Sequence, residues 1–177
     1  MHHVSWILAG AVLASAPLAA QATDSIPAPS PSPMAAPAPT PAQQRFLDGL
    51  RTAGRGVAQL KDGIDRVGRN RADSAQLRMA GQRLGGLCGS AASFMRQGRA
   101  RMSHGVYIDS VRTLARRLNQ QIDSVIAFLP TCQRDGGKKP TATAATLVAL
   151  LRGYEAALQK FREVAVLTTA QPTPPSR

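Results

Sequence analysis

The chain has 177 residues, room for one ordinary domain, and 44% of them are hydrophobic, enough for a core. Only 4% are aromatic, so that core must be aliphatic and alanine-rich. Lysine and arginine number 22 against 10 acidic residues, a formal charge of +12, with arginine supplying 18 of the cations. Such an excess draws a protein toward polyanions and says nothing about its fold.

Residues 1–22 contain no Asp, Glu, Lys or Arg. Within them Val4 to Ala14 is an apolar run of signal-peptide length, about 7–15 residues, and shorter than the ~20 that a membrane span needs. Ala20-Gln21-Ala22 reads as a small-x-small cleavage site, which places the mature start at Thr23. No cysteine follows the run, so no lipid anchor is expected. The expected product is exported, periplasmic or extracellular, with no transmembrane span. His2, His3 and Trp6 would leave with the signal peptide.

Residues 23–43 are dominated by proline and alanine, in the pattern SIPAPSPSPMAAPAPTPA. Proline at nearly every second position blocks helix and ladder hydrogen bonds, so this segment reads as a disordered Pro-rich linker. Residues 168–177 read as a short disordered tail.

Four helical patterns lie between. The first runs from about Ala42 to Val67. Its apolar positions, Phe46, Leu50, Ala53, Val57, Leu60, Ile64 and Val67, alternate spacings of four and three, a heptad seam. Asp62–Arg66 and Asp65–Arg69 are i,i+4 pairs on its outer face. Gly49, Gly54, Gly56 and Gly63 weaken it unless tertiary packing holds it.

The second helix is capped by Asp73 or Ser74 and has its seam at Leu77, Ala80, Leu84, Leu87, Ala91 and Phe94. Gly81, Gly85 and Gly89 recur every four residues beside that seam. They either allow a neighbouring helix to approach closely or break the helix at Gly85-Gly86.

The third pattern spans Val106 to Leu129, with Val111, Leu114, Leu118, Ile122, Val125 and Leu129 on one stripe and Asn119 largely off it. Pro130 is expected to stop it. A polar loop follows. The fourth helix is capped by Thr141 or Thr143, and its seam is Leu147, Leu151, Tyr154, Leu158, Phe161 and Ala165.

Similar lengths, short connections and a 3.5-residue period predict an all-α, up-down-up-down four-helix bundle over residues 44–167. A three-helix core with the first helix loosely attached is the alternative. In the bundle Phe46, Phe94, Tyr107 and Phe161 share one end. They form either an aromatic core layer or a candidate apolar pocket near Met95, Met102 and His104.

Cys88 and Cys132 are the candidate disulfide of an oxidising compartment. Level, straight helices would hold them too far apart. The bridge therefore requires a broken second helix, a folded-back loop or a different register; otherwise the thiols stay free or pair between molecules.

Reactive motifs are absent from the sequence. It has no Cys-x-x-Cys, no Glu-x-x-His and no Walker-type phosphate loop, and His104 is the only histidine after residue 22. No catalytic residue, metal ligand or cofactor is assigned, and an enzyme is not expected.

The candidate anion-binding residues are Arg66, Arg69, Arg71, Arg134, Lys138 and Lys139 at one end. Arg96, Arg99 and Arg101 stand at the other, and Arg112, Arg116 and Arg117 form a stripe on the third helix. Arginine suits bidentate contact with phosphate and carboxylate. The expectation is a non-enzymatic envelope protein that acts through this surface on lipid headgroups or acidic polysaccharide. Export argues against nucleic acid as the partner. The alternative is a small-molecule or b-type haem binder using the aromatic end.

Overall fold

Thr40-Pro41-Ala42-Gln43 is a complete helix start. The Thr40 hydroxyl accepts the Gln43 N–H at 3.2 Å, and the Gln43 side-chain oxygen accepts the Thr40 N–H at 2.9 Å. Pro41, at the first helical position, has no N–H to leave unpaired. The first helix therefore begins inside the segment expected to be linker.

The computed structural model describes residues 38–169. They form an all-α four-helix bundle: α1 Pro41–Arg69, α2 Ser74–Ala100, α3 Asp109–Asp135 and α4 Pro140–Thr169, with a 3-10 turn at His104–Val106. Side chains beyond residue 165 are not described. The expected signal peptide, most of the linker and most of the tail lie outside the described residues.

Contacts between helices show that neighbours run antiparallel. Gly49, Gly56 and Gly63 of α1 meet Gly98, Ala91 and Leu84 of α2 in reverse order. Gly81 and Gly85 of α2 meet Gly136 and Gln133 after and at the end of α3. Phe46 of α1 meets Phe161 of α4, and Lys61 pairs with Glu155.

Asp73 caps α2 by accepting the N–H groups of Ala75 at 2.8 Å and Gln76 at 3.0 Å. The helix is continuous through Gly85-Gly86. Its glycines serve close packing: a Cβ on Gly85 would stand 2.9 Å from the Gln133 carbonyl oxygen.

The buried stripe of α2 differs from the expected seam in its second half. Cys88 and Met95 are fully buried, whereas Leu87 and Phe94 are only partly covered. The reason is that α2 lies between α1 and α3 and buries two faces. Gly98, Met95 and Ala91 meet α1, while Gly81, Gly85 and Cys88 meet α3.

α3 also corrects the expectation. It begins at Asp109 and does not stop at Pro130, but continues to Asp135. An interior proline costs a helix roughly 3 kcal/mol. Burial beyond it holds the helix together: Cys132 is fully buried and bonded to Cys88, and Gly136 packs on Gly81.

The helices are not level. Met102 lies beside Asn119, whose amide donates to the Met102 carbonyl at 2.8 Å. Asn119 is ten residues into α3, so α3 starts roughly 15 Å beyond that level. At the opposite end α3 finishes near Gly81, seven residues and about 10 Å short of the start of α2.

This axial shift explains the cysteines. Arg99 and Asp123 are in contact. From that level Cys88 is eleven residues back along α2 and Cys132 nine residues on along α3, about 16 and 14 Å in the same direction. Their Cα atoms are 6.1 Å apart and the sulfurs are bonded. The different register is the route to the bridge, and neither helix breaks.

Candidate functional site

Four of the twelve candidate cations are engaged within the protein. Arg66 pairs with Asp62 at 2.9 Å, and Arg134 with Asp135 at 3.1 Å. Arg99 grips Asp123 with two hydrogen bonds of 2.9 and 3.0 Å, joining α2 to α3. The Arg112 guanidinium donates to the Tyr107 carbonyl at 2.8 Å.

Arg69, Arg71, Arg96, Arg101, Arg116, Arg117, Lys138 and Lys139 make no ion pair among the described residues and stand exposed. The expected Asp65–Arg69 pair is not formed. Both residues instead line a cleft at the end of α1.

The two expected basic ends exist, but the axial shift makes them stepped. Arg69 and Arg71 sit at the α1–α2 tip, which projects past the α3–α4 connection carrying Lys138 and Lys139. At the other end Arg101 shares a cleft with Arg45 and Asp48. The helix α2 contains Arg78, Arg83, Arg96 and Arg99 and no acidic residue at all.

Sequence reasoning missed Arg152. It is 83 positions from Arg69, yet α4 lies against α1 and brings both, with Arg71, to one cleft of about 600 Å³. Ile64, Gly68, Ala144, Ala145 and Val148 complete its lining. Charge alone gave no reason to join these arginines; only the α1–α4 contact does.

Three rings pack against one another at the aromatic end. Phe46 and Tyr107 meet edge to face at 5.1 Å, and Phe161 lies 5.4 Å from each. Phe46 and Phe161 are sealed from solvent. Burial raises the Tyr107 hydroxyl above its ordinary pKa of 10.0.

Phe94 is not part of this layer. The neighbouring Met95 meets Gly56 of α1, so Phe94 stands about ten residues, or roughly 15 Å, from the level of Phe46. Its place near the end is taken by Met102, buried against Gly49. His104 is half-buried in the 3-10 turn, where its carbonyl accepts the Tyr107 N–H at 3.3 Å. Among the described residues no group of three or more His, Cys, Asp or Glu side chains is arranged to hold a metal ion.

Asn119 was expected off the apolar stripe and is instead buried at 2% exposure. Its amide secures the connection at Met102, while its Oδ1 has no hydrogen-bond partner. Burying a side chain that pins a loop carbonyl is a tertiary requirement that periodicity does not encode.

No helix among the described residues is long and apolar enough to cross a membrane. The chain matches no protein-family model, no curated protein and no solved structure.

Proposed function

We propose that the chain is an exported, non-enzymatic helical protein that engages anionic envelope components through its basic surface. Lipid headgroups are the first partner and acidic polysaccharide the second. The observation that supports this reading is the set of guanidinium and ammonium groups left without a carboxylate. Arg69, Arg71, Arg96, Arg101, Arg116, Arg117, Lys138 and Lys139 are exposed, and none forms an ion pair among the described residues. A cation already satisfied by a carboxylate offers an outside anion little; these offer their full hydrogen-bonding capacity.

Export rests on the uncharged, apolar character of residues 1–22 and is tested by the intact mass of secreted material, which should begin at Thr23. Binding is tested by sedimentation with phosphatidylglycerol vesicles, with phosphatidylcholine vesicles as the neutral control and an acidic polysaccharide as a separate arm. Binding should be strong near 0.01 M salt, where the screening length is about 30 Å, and lost near 1 M, where it is about 3 Å. Failure to bind either polyanion at low salt overturns the reading.

A further inference from the structure

We propose that the seam between α1 and α4 binds a single-chain anionic lipid, its head held by Arg69, Arg71 and Arg152 and its acyl chain laid along the groove toward Leu50 and Leu158. The inference rests on the reading that anionic lipid is the partner, and it names where one lipid molecule sits.

The seam is the bundle's loosest. α1 and α4 touch much less than α1 and α2, α2 and α3, or α3 and α4. Three clefts follow one another along it. The first is lined by Leu50, Gly54, Val57, Tyr154 and Leu158, and the second by Ile64, Val148 and Leu151. The third is the cleft of Arg69, Arg71 and Arg152. Lys61 and Glu155 are shared by the first two, and Ile64, Asp65, Val148 and Arg152 by the last two, so the clefts adjoin in series, with the Lys61–Glu155 pair standing between the first and the second. From Leu50 to Gly68 the series follows α1 for eighteen residues, about 27 Å, with buried Leu50, Val57, Leu151 and Tyr154 in its lining and charged side chains of both signs beside them.

The glycines of α1 carry the argument further. Gly49, Gly56 and Gly63 are required, because a Cβ at each would press on α2. Gly54 and Gly68 are not: nothing lies within 4 Å of where their Cβ atoms would be. Two glycines weaken a helix with no neighbour to justify them. Both line the groove, one in the first cleft and one in the third. Side chains there would fill it.

Charge selects the occupant and its direction. The head end holds three guanidinium groups and one carboxylate, Asp65, a local balance of +3 − 1 = +2. None of these cations forms an ion pair. Toward the other end Arg51 is paired with Asp48 and Lys61 with Glu155, while Glu163 offsets Arg162. A second copy of this chain carries +12 and would set like charges against the arginines. The Lys61–Glu155 pair crosses the seam midway, and it is exposed on both sides and readily parted.

The test is calorimetric titration of the full exported chain with monomeric palmitate. Hexadecanol and inorganic phosphate serve as controls for chain alone and head alone. One palmitate should bind per chain, with neither control matching it. Gly54→Leu and Gly68→Leu fill the groove where space is open and should each weaken palmitate at least tenfold, as should Arg152→Glu. Gly54→Leu should not lower the thermal midpoint, because it replaces a helical glycine with nothing within 4 Å of its Cβ position.

Wild-type protein that binds those vesicles but not palmitate overturns the groove and leaves the surface reading standing. Equal palmitate affinity in the Gly54→Leu, Gly68→Leu and wild-type chains overturns it as well. So does a dimer that Gly54→Leu dissolves while palmitate does not bind, since the groove then belongs to a second copy. Phosphate binding as tightly as palmitate reduces the site to a headgroup patch and removes the groove from the proposal.

Discussion

Gly49 and Gly98 bring α1 and α2 together backbone to backbone. A Cβ on Gly49 would lie 2.6 Å from the Gly98 carbonyl oxygen, and a Cβ on Gly98 would lie 2.5 Å from that of Gly49. Gly56 and Gly63 repeat the approach one and two heptads along, against Ala91 and Leu84. Each glycine costs about 1 kcal/mol of helix propensity relative to alanine. The close contact it permits offsets that loss through dispersion and burial.

Gly49→Ala and Gly98→Ala should therefore each destabilise the bundle by about 1–3 kcal/mol, the range for overpacking a filled interface. Gly86→Ala is the control. Nothing lies within 4 Å of its Cβ position, and it should stabilise by up to about 1 kcal/mol. Urea midpoints of the three variants read the signs directly. A stabilised Gly98→Ala would mean that the helices are free to separate.

The Cys88–Cys132 bridge closes a loop of sequence separation 44 between two fully buried residues. The chain-entropy model assigns such a loop about 4 kcal/mol of stabilisation. Cys88→Ala with Cys132→Ala should lower the urea midpoint accordingly. Amides of residues 131–135 should then exchange faster than in wild type, because the bridge anchors the turn beyond the proline. Unchanged exchange there would argue that packing alone suffices.

Asn119→Asp tests the buried amide. The carboxylate would be buried where Oδ1 has no hydrogen-bond donor, and it would lose the donor to Met102. The variant should be destabilised at neutral pH. Its folded-state pKa should be raised above the unfolded value of about 3.9, so the lost stability returns below that value and is absent as pH climbs through the folded pKa. Urea midpoints at acidic and neutral pH should differ more for the variant than for wild type. Equal pH dependence would show that water reaches the site.

Alkaline sensitivity follows from the tyrosines. Burial raises Tyr107, and burial also raises Tyr154, opposed by Arg162 and aided by Glu155. In the unfolded chain they lose protons near pH 10.0, before the folded chain does. The unfolded state thus binds fewer protons above that pH, and stability falls as pH rises past it. Tyr107→Phe should flatten the fall in thermal midpoint above about pH 10, and an unchanged slope would place the titration elsewhere.

How much of this was legible in the sequence depends on the kind of information. Helix existence and the seams of α1, α3 and α4 were readable from spacing: Phe46, Leu60, Leu118, Ile122, Leu147 and Phe161 are all buried as their periodicity requires. So was the cap at Asp73; the Thr40–Gln43 capping box was not read, because it lies among the prolines of the expected linker. The surplus of cations over carboxylates is a property of composition.

Tertiary structure alone decided the axial offset of α3, and nearly every departure follows from it. Periodicity records rotation about a helix axis; it carries no record of translation along that axis. Translation is set by contacts between distant residues, here Met102 on Asn119, Gly81 on Gly136 and Arg99 on Asp123. Those contacts carry α3 through Pro130, bring Cys132 to Cys88 and leave the α1–α2 tip projecting, while Phe94 is kept from the aromatic layer by the register of α2 on α1, where Met95 meets Gly56. The meeting of Arg69, Arg71 and Arg152 has the same origin. It depends on how α4 lies against α1, a distance across the bundle that no local pattern of residues expresses.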